Sequence, residues 1–164
     1  KDSKKVLDNW FICEHANTRH SVRGFFSAYA RGEGLVEGFT FEAFSGQLIE
    51  FIRMMHWRGV YFRDLSGGNV LVLIEESNQL VFSLIDTARA RFANRRFSRN
   101  KRIADLKRLV HKLDPQQQAH FMDLYLIQEN AHFTAYHRLS FQLYAFKASL
   151  KRLRRKIRKN FVSK

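Results

Sequence analysis

One cysteine and one proline in 164 residues leave this chain without two common structural devices. Cys13 has no second thiol to pair with, which excludes an intramolecular disulfide scaffold and fits a reducing compartment. With Pro115 as the single proline there is no proline-rich linker, and no repeat or low-complexity segment divides the sequence. No apolar run approaches the ~20 residues that cross a bilayer, and the opening Lys-Asp-Ser-Lys-Lys leads into no signal-peptide hydrophobic region. The first residue is not Met, so the sequence is expected to be a piece of something longer. Acidic residues are also scarce, 15 against 29 Lys and Arg, for a formal net charge of +14. Core-forming side chains are plentiful: 45% of the residues are hydrophobic and 16 are Phe, too many for a disordered chain. The length fits one domain, soluble or peripheral to a membrane.

The cations are concentrated. Residues 147–164 hold nine basic and no acidic side chains, and residues 89–112 hold ten basic and one acidic. The remainder of the chain is mildly acidic, so two anion-facing surfaces describe it better than general basicity.

Hydrophobic spacing outlines the elements. Residues 6–14 read as a strand entering a connector, and residues 15–40, with Gly24, Gly32, Gly34 and Gly38, as loops around a short helix. Apolar positions 44, 48, 51, 52 and 55 define an amphipathic helix from Phe41 to Arg58. Val60–Phe62, Val70–Ile74 and Leu80–Ile85 are β-prone, the last two forming a hairpin across Glu75–Gln79. Ile103, Leu106, Val110 and Leu113 mark another helix, after which Asp114 and Pro115 supply an N-cap and a first-turn proline for a helix through Glu129. The segment 134–160 reads as one long helix with a single apolar stripe, Tyr136, Leu139, Leu143, Phe146, Leu150, Leu153 and Ile157. The expected class is α+β, mainly helical.

Chemistry is concentrated around the hairpin. Asp64 stands in a turn after one β-run, Gly67 and Gly68 follow, Asn69 comes five residues after Asp64, and Asp86 ends the second hairpin strand. Phosphoryl transfer uses such a set: a carboxylate to orient a hydroxyl and accept its proton, and hard oxygen ligands to hold Mg²⁺ against nucleotide phosphates. Asp64 fits the first role, and Asn69 with Asp86 the second. The paired glycines would let the backbone turn tightly between them.

At these residues the sequence resembles the C-terminal lobe of the protein-kinase-like superfamily, whose His-Arg-Asp-Leu loop carries an Asn five residues after the Asp and is followed by a metal-binding Asp. Arg63, Asp64, Leu65 and Asn69 match, Phe62 stands in place of the His, and Asp86-Thr87-Ala88 replaces Asp-Phe-Gly. The Arg-Asp-Leu-Ser-Gly-Gly-Asn loop, the arginines at 89 and 91, and the helix start Arg102-Ile-Ala-Asp105-Leu106 are most similar to the bacterial lipopolysaccharide kinases, which phosphorylate heptose or Kdo. The resemblance covers roughly residues 9–113. It implies a kinase with ATP as co-substrate and Mg²⁺ as cofactor. Asp64 and Arg63 would be catalytic, Asn69 and Asp86 would be metal ligands, and Cys13 with Glu14 would form the adenine-facing hinge. Residues 1–14 would then close an N-lobe, and residues 15–164 would form the C-lobe. A Gly-rich loop, a strand Lys and its Glu partner are also implied, and none precedes Asn9. The chain alone is therefore expected to bind ATP weakly or not at all unless preceding residues are restored.

Arg89, Arg91 and Arg102 follow the metal Asp, where such a fold receives its acceptor, and would clamp anionic groups of lipopolysaccharide core or another anionic sugar. The basic stretch 147–164 would engage an anionic membrane surface, placing the protein at the inner face of the cytoplasmic membrane. The rival within the enzymes is a kinase of another small molecule or of a protein, the latter disfavoured because no Ala-Pro-Glu follows Asp86. A basic nucleic-acid-binding module is the rival from another class. The net charge favours it, and the lack of a recognition-helix or exposed-aromatic pattern argues against it. His15/His20 and His132/His137 lie five apart, off a common helical face, and Cys13 reads as a small buried hydrophobe, so structural zinc is not expected.

Overall fold

Phenylalanine does most of the packing in the first half of the molecule. The computed structural model describes residues 18–162. The expected strand over 6–14 and the expected hinge residues Cys13 and Glu14 lie outside the described residues. Helix α1 (Val22–Tyr29) buries Phe25 and Phe26 against helix α2 (Phe41–Trp57), where Phe25 stacks on Phe44 with ring centroids 4.2 Å apart. Phe26 meets Phe44 edge-on at 5.9 Å. Offset-stacked and edge-on pairs of this kind each add roughly 0.5–1.5 kcal/mol beyond the area they bury. Helix α2 begins at an N-cap, Thr40, whose side chain accepts a hydrogen bond from Ala43 N at 3.2 Å.

The five strands among the described residues follow two separate pairing patterns. Strand β1 (His20–Ser21) and strand β4 (Leu80–Leu84) flank β3 (Val70–Ile74) in an antiparallel sheet of order β1-β3-β4. In the β3–β4 hairpin Val70 faces Leu84 and Ile74 faces Leu80. Val70, Val72, Leu80 and Phe82 turn to the core, where Phe82 meets Phe44 edge-on, and the alternate residues turn outward. Strand β2 (Val60–Tyr61) pairs with β5 (Arg91–Phe92), Val60 opposite Phe92 and Tyr61 opposite Arg91. Two residues on each side carry too little pattern to announce this second pairing in the sequence. It folds the arginine-bearing segment after Asp86 back beside the residues that lead into Asp64.

The C-terminal half is helical. Helix α3 (Arg99–Val110) buries Ile103, Leu106, Leu109 and Val110. Helix α4 (Pro115–Leu126) starts with a reciprocal capping box, in which Asp114 accepts from the Gln116 and Gln117 amides at 2.8 and 2.9 Å and Gln117 returns a side-chain acceptor to Asp114 N. Phe121 of α4 reaches back edge-on to Phe26 at 5.7 Å, which joins the two halves in one core.

Helix α5 (Ala135–Val162) departs from the usual logic of an amphipathic helix. A periodic apolar stripe ordinarily marks the packed face. Here Tyr136, Leu139, Leu143, Phe146, Leu150 and Leu153 are all exposed. The helix is held by its other side: Phe141 is buried edge-on against Phe133 at 5.0 Å, Lys107 of α3 donates to Ser140, and His111 packs edge-on against Tyr144 at 6.0 Å.

Candidate active site

The segment Phe62–Asn69 between β2 and β3 is closed by its own backbone. Ser66 N donates to Asp64 O at 2.7 Å, and Asn69 N donates to Ser66 O at 2.8 Å. The Asn69 side chain adds a third bond, Nδ2 to Asp64 O at 3.1 Å. Across the hairpin, Ile85 N donates to Asn69 O at 3.0 Å, which sets Asp86 beside Asn69 at the same end of the ladder. Residues 64, 69 and 86 are thus gathered by backbone pairing. Arg63 and Asp86 both take the left-handed conformation, with φ of 65° and 59°, which side-chain-bearing residues seldom adopt.

Gly67 and Gly68 have a different purpose from the one their sequence suggests. Neither has a positive φ; both make room for Arg23 at the start of α1. Arg23 N donates to Gly67 O at 2.9 Å, and a Cβ on Gly67 would sit 2.8 Å from that nitrogen. A Cβ on Gly68 would collide with the Arg23 guanidinium. The glycines dock α1 onto the loop rather than merely letting it turn.

Two guanidinium groups converge on the Asp64 carboxylate, which is mostly buried: Arg108 of α3 on Oδ1, and Arg89 on Oδ2 at 3.4 Å. Asp86 is exposed and makes no side-chain hydrogen bond or ion pair among the described residues. Asn69 points its nitrogen at Asp64 O, which leaves its amide oxygen for another partner. A carboxylate and an amide oxygen at adjoining strand ends are hard donors of the kind Mg²⁺ takes, with water and phosphate oxygens completing its shell. Among the described residues no group of three or more His, Cys, Asp or Glu could hold a metal, so this pair would contribute only part of the coordination.

The loop is anchored from beneath by buried polar groups. Phe62 N donates to Asp105 Oδ2 at 2.8 Å, and His56 Nε2 approaches the same oxygen at 3.4 Å. His56 Nδ1 lies 2.7 Å from the Tyr125 hydroxyl, to which Arg102 Nη1 donates at 3.2 Å. One tautomer satisfies the chain: Nε2–H donates to Asp105, and Nδ1 accepts from Tyr125. Burial pushes the Tyr125 phenol up from its ordinary value, with the Arg102 charge opposing. The chain ends at Glu129, which accepts from Arg102 Nη1 and Nη2 at 2.6 and 2.9 Å and from Arg99 Nε at 3.1 Å. The Arg102 hydrogen bonds bring its carboxyl down from 4.5 to about 2.

This geometry corrects one expectation. Arg102, grouped by sequence with the acceptor-facing arginines, is only 3% exposed and spends its guanidinium on Glu129, Tyr125 and the Phe97 carbonyl. Arg63, which the resemblance makes catalytic, has an exposed side chain with no hydrogen bond or ion pair among the described residues, and the loop is held from beneath by Asp105. Arg89 meets Asp64, and Arg91 is exposed on β5 opposite Tyr61. Arg23, His56, Arg108, Tyr125 and Glu129 were not singled out by sequence. Asp105 left a signal, being the one acid within the basic stretch 89–112.

Comparison with known proteins fits this architecture. The fold is similar to a kinase-like one, that of a solved structure described as WaaP in complex with acyl carrier protein, with a TM-score of 0.57 at 18% identity. The match covers 80% of this chain and 58% of that one. The family model described as lipopolysaccharide kinase (Kdo/WaaP) family matches residues 39–125, more than half of the chain, and the chain belongs to that family. No curated protein matches.

Proposed function

We propose that this chain is the C-terminal lobe of an ATP-dependent phosphotransferase that moves a γ-phosphoryl group to a heptose or Kdo hydroxyl of lipopolysaccharide inner core. The observation that carries the reading is the gathering of Asp64, Asn69 and Asp86 through the Asn69 bridge to Asp64 O and the Ile85 bond to Asn69 O. Family membership supplies the reaction class. Asp64 would orient the acceptor hydroxyl and take its proton, with Arg89 and Arg108 fixing the direction of the carboxylate. Asn69 and Asp86 would hold Mg²⁺, which when bound neutralises phosphate charge. Arg89 and Arg91 lie on the strip that β5 pairs back toward the loop and would face the acceptor. Adenine would be held by residues near Cys13 and Glu14 and by an N-lobe.

Helix α5 supports a peripheral position at the inner face of the cytoplasmic membrane. Its apolar stripe from Tyr136 to Leu153 is exposed, and Arg154 follows on the same helix within the basic stretch 147–164. An amphipathic helix of this kind lies in the headgroup region, where each Lys or Arg near anionic lipid adds about 1 kcal/mol. No helix among the described residues is long and apolar enough to cross a membrane.

Transfer of labelled γ-phosphate from ATP to an inner-core acceptor by the full-length protein tests the reading. Asp64→Asn is expected to lower kcat by at least a hundredfold while far-UV circular dichroism shows the variant still folded. Undiminished transfer in that variant would discard the assignment.

A further inference from the structure

A second feature adjoins the catalytic loop on the side of α1, α3 and α5. A cleft of about 670 Å³ is lined by Arg23, Ser66, Arg108, Lys112, Lys147 and Lys151, with His111 and Tyr144 on its wall. Five of these are cations, and no acid lines the cleft. Neither Asn69 nor Asp86 belongs to the lining, so the cleft is separate from the pair that would hold the metal.

The walls are built. Arg23 is held at its backbone by the bond to Gly67 O, and its guanidinium passes close over Gly68. Arg108 joins the cleft to Asp64. The far wall is held by Lys107 donating to Ser140 and by His111 against Tyr144, and the helical repeat sets Lys147 and Lys151 about one and two turns beyond these contacts. Arg108 has the Asp64 carboxylate as partner; the other four cations, Arg23, Lys112, Lys147 and Lys151, repel one another unless an anion sits among them. Its volume suits one or two sugar rings.

From this we infer that the cleft is the subsite for a phosphoryl group carried by the acceptor saccharide. Lys112, Lys147 and Lys151 bind the phosphate, Arg23 closes the side nearest the glycines, and Arg108 spans from the bound anion to Asp64, so that a neighbouring hydroxyl is presented to the carboxylate. The identity of the ligand rests on the phosphotransferase reading; the existence of an anion site rests on the cleft alone. Arg89 and Arg91 would then guide the acceptor from the opposite flank instead of forming its main anion seat.

The test uses the full-length protein and its Lys112→Gln/Lys147→Gln/Lys151→Gln variant, three positions away from the buried core. The probe is deacylated inner-core oligosaccharide bearing its phosphates, titrated calorimetrically alongside a phosphatase-treated sample. The expected result is at least a tenfold weaker Kd for the phosphorylated probe in the variant, a matching loss in wild type when the probe is dephosphorylated, and unchanged ATP affinity. Equal affinity of wild type and variant for the phosphorylated probe overturns the inference, as does equal wild-type affinity for the two probes. If the variant loses binding only to phosphatidylglycerol vesicles, the lysines serve lipid headgroups and the inference fails. The two readings separate cleanly. Oligosaccharide binding that depends on the lysines without any phosphoryl transfer by wild type keeps this site and removes the proposed function. Transfer with an acceptor KM unaltered in the variant does the reverse.

Discussion

Removing the charge of Glu129 offers the most quantitative test of the polar chain beneath the loop. The Glu129 side chain is 15% exposed and the Arg102 side chain 4%, so the pair is largely out of water and screened little by salt. The Arg102 hydrogen bonds hold the Glu129 carboxyl at about 2 against an ordinary 4.5. That depression corresponds to about 3 kcal/mol of stability linked to ionisation. Because the folded value is the lower one, the contribution is complete above pH ~4.5, where the unfolded chain is also ionised, and declines as the pH falls toward 2. Glu129→Gln keeps the shape and loses the charge, leaving Arg102 buried without its counter-ion. At pH 7 the variant is expected to be destabilised by about 3 kcal/mol, with a thermal midpoint lower by roughly 6–12 °C for a domain of this size. Urea unfolding followed by far-UV circular dichroism at steps between pH 7 and pH 2 provides the assay. The gap between wild type and variant should be constant down to pH ~4.5 and then narrow steadily. A gap that stays the same at pH 3 as at pH 7 would refute the ion-pair argument.

Two further outcomes follow from packing. Gly67→Ala places a methyl group against the Arg23 backbone and is expected to cost roughly 2 kcal/mol, whereas Gly46→Ala, in a helix with nothing near its added Cβ, should be neutral or stabilising by up to ~1 kcal/mol; equal midpoints for the two variants would contradict the docking of α1 onto the loop. Leu143→Ser/Phe146→Ser alters two exposed stripe residues and should lower binding to anionic vesicles at least fivefold with an unchanged thermal midpoint, and vesicle sedimentation checks it.

Local pattern made much of the fold legible. Helix α2 follows from its 44, 48, 52 and 55 spacing, the β3–β4 hairpin from two β-prone runs around a polar turn, and the start of α4 from Asp114 and Pro115. The loop residues 64 and 69 and the strand-end residue 86 were legible because their separation is set by one hairpin. What escaped depends on contacts distant in sequence. The β2–β5 and β1–β3 pairs are two residues long and carry too little pattern to announce a partner. Arg102 and Arg89 look alike within a run of cations. Only the position of Glu129, 27 residues beyond Arg102, makes one a buried structural group and leaves the other beside Asp64. The stripe of α5 shows how periodicity reveals an amphipathic helix but not which side meets the protein.

The β3–β4 ladder also behaves as a ruler with one graduated end. Asn69 and Asp86 lie at its foot, while the reversal through Glu75–Gln79 lies at its tip, where Asn78 already adopts a left-handed backbone. Extra residues spliced into the tip would lengthen an exposed bend and leave the foot untouched. One residue added within either strand would swap inner for outer side chains along its whole length and draw the two oxygen-bearing groups out of step. Length variation in relatives can therefore accumulate at the tip while the spacing at the foot is kept.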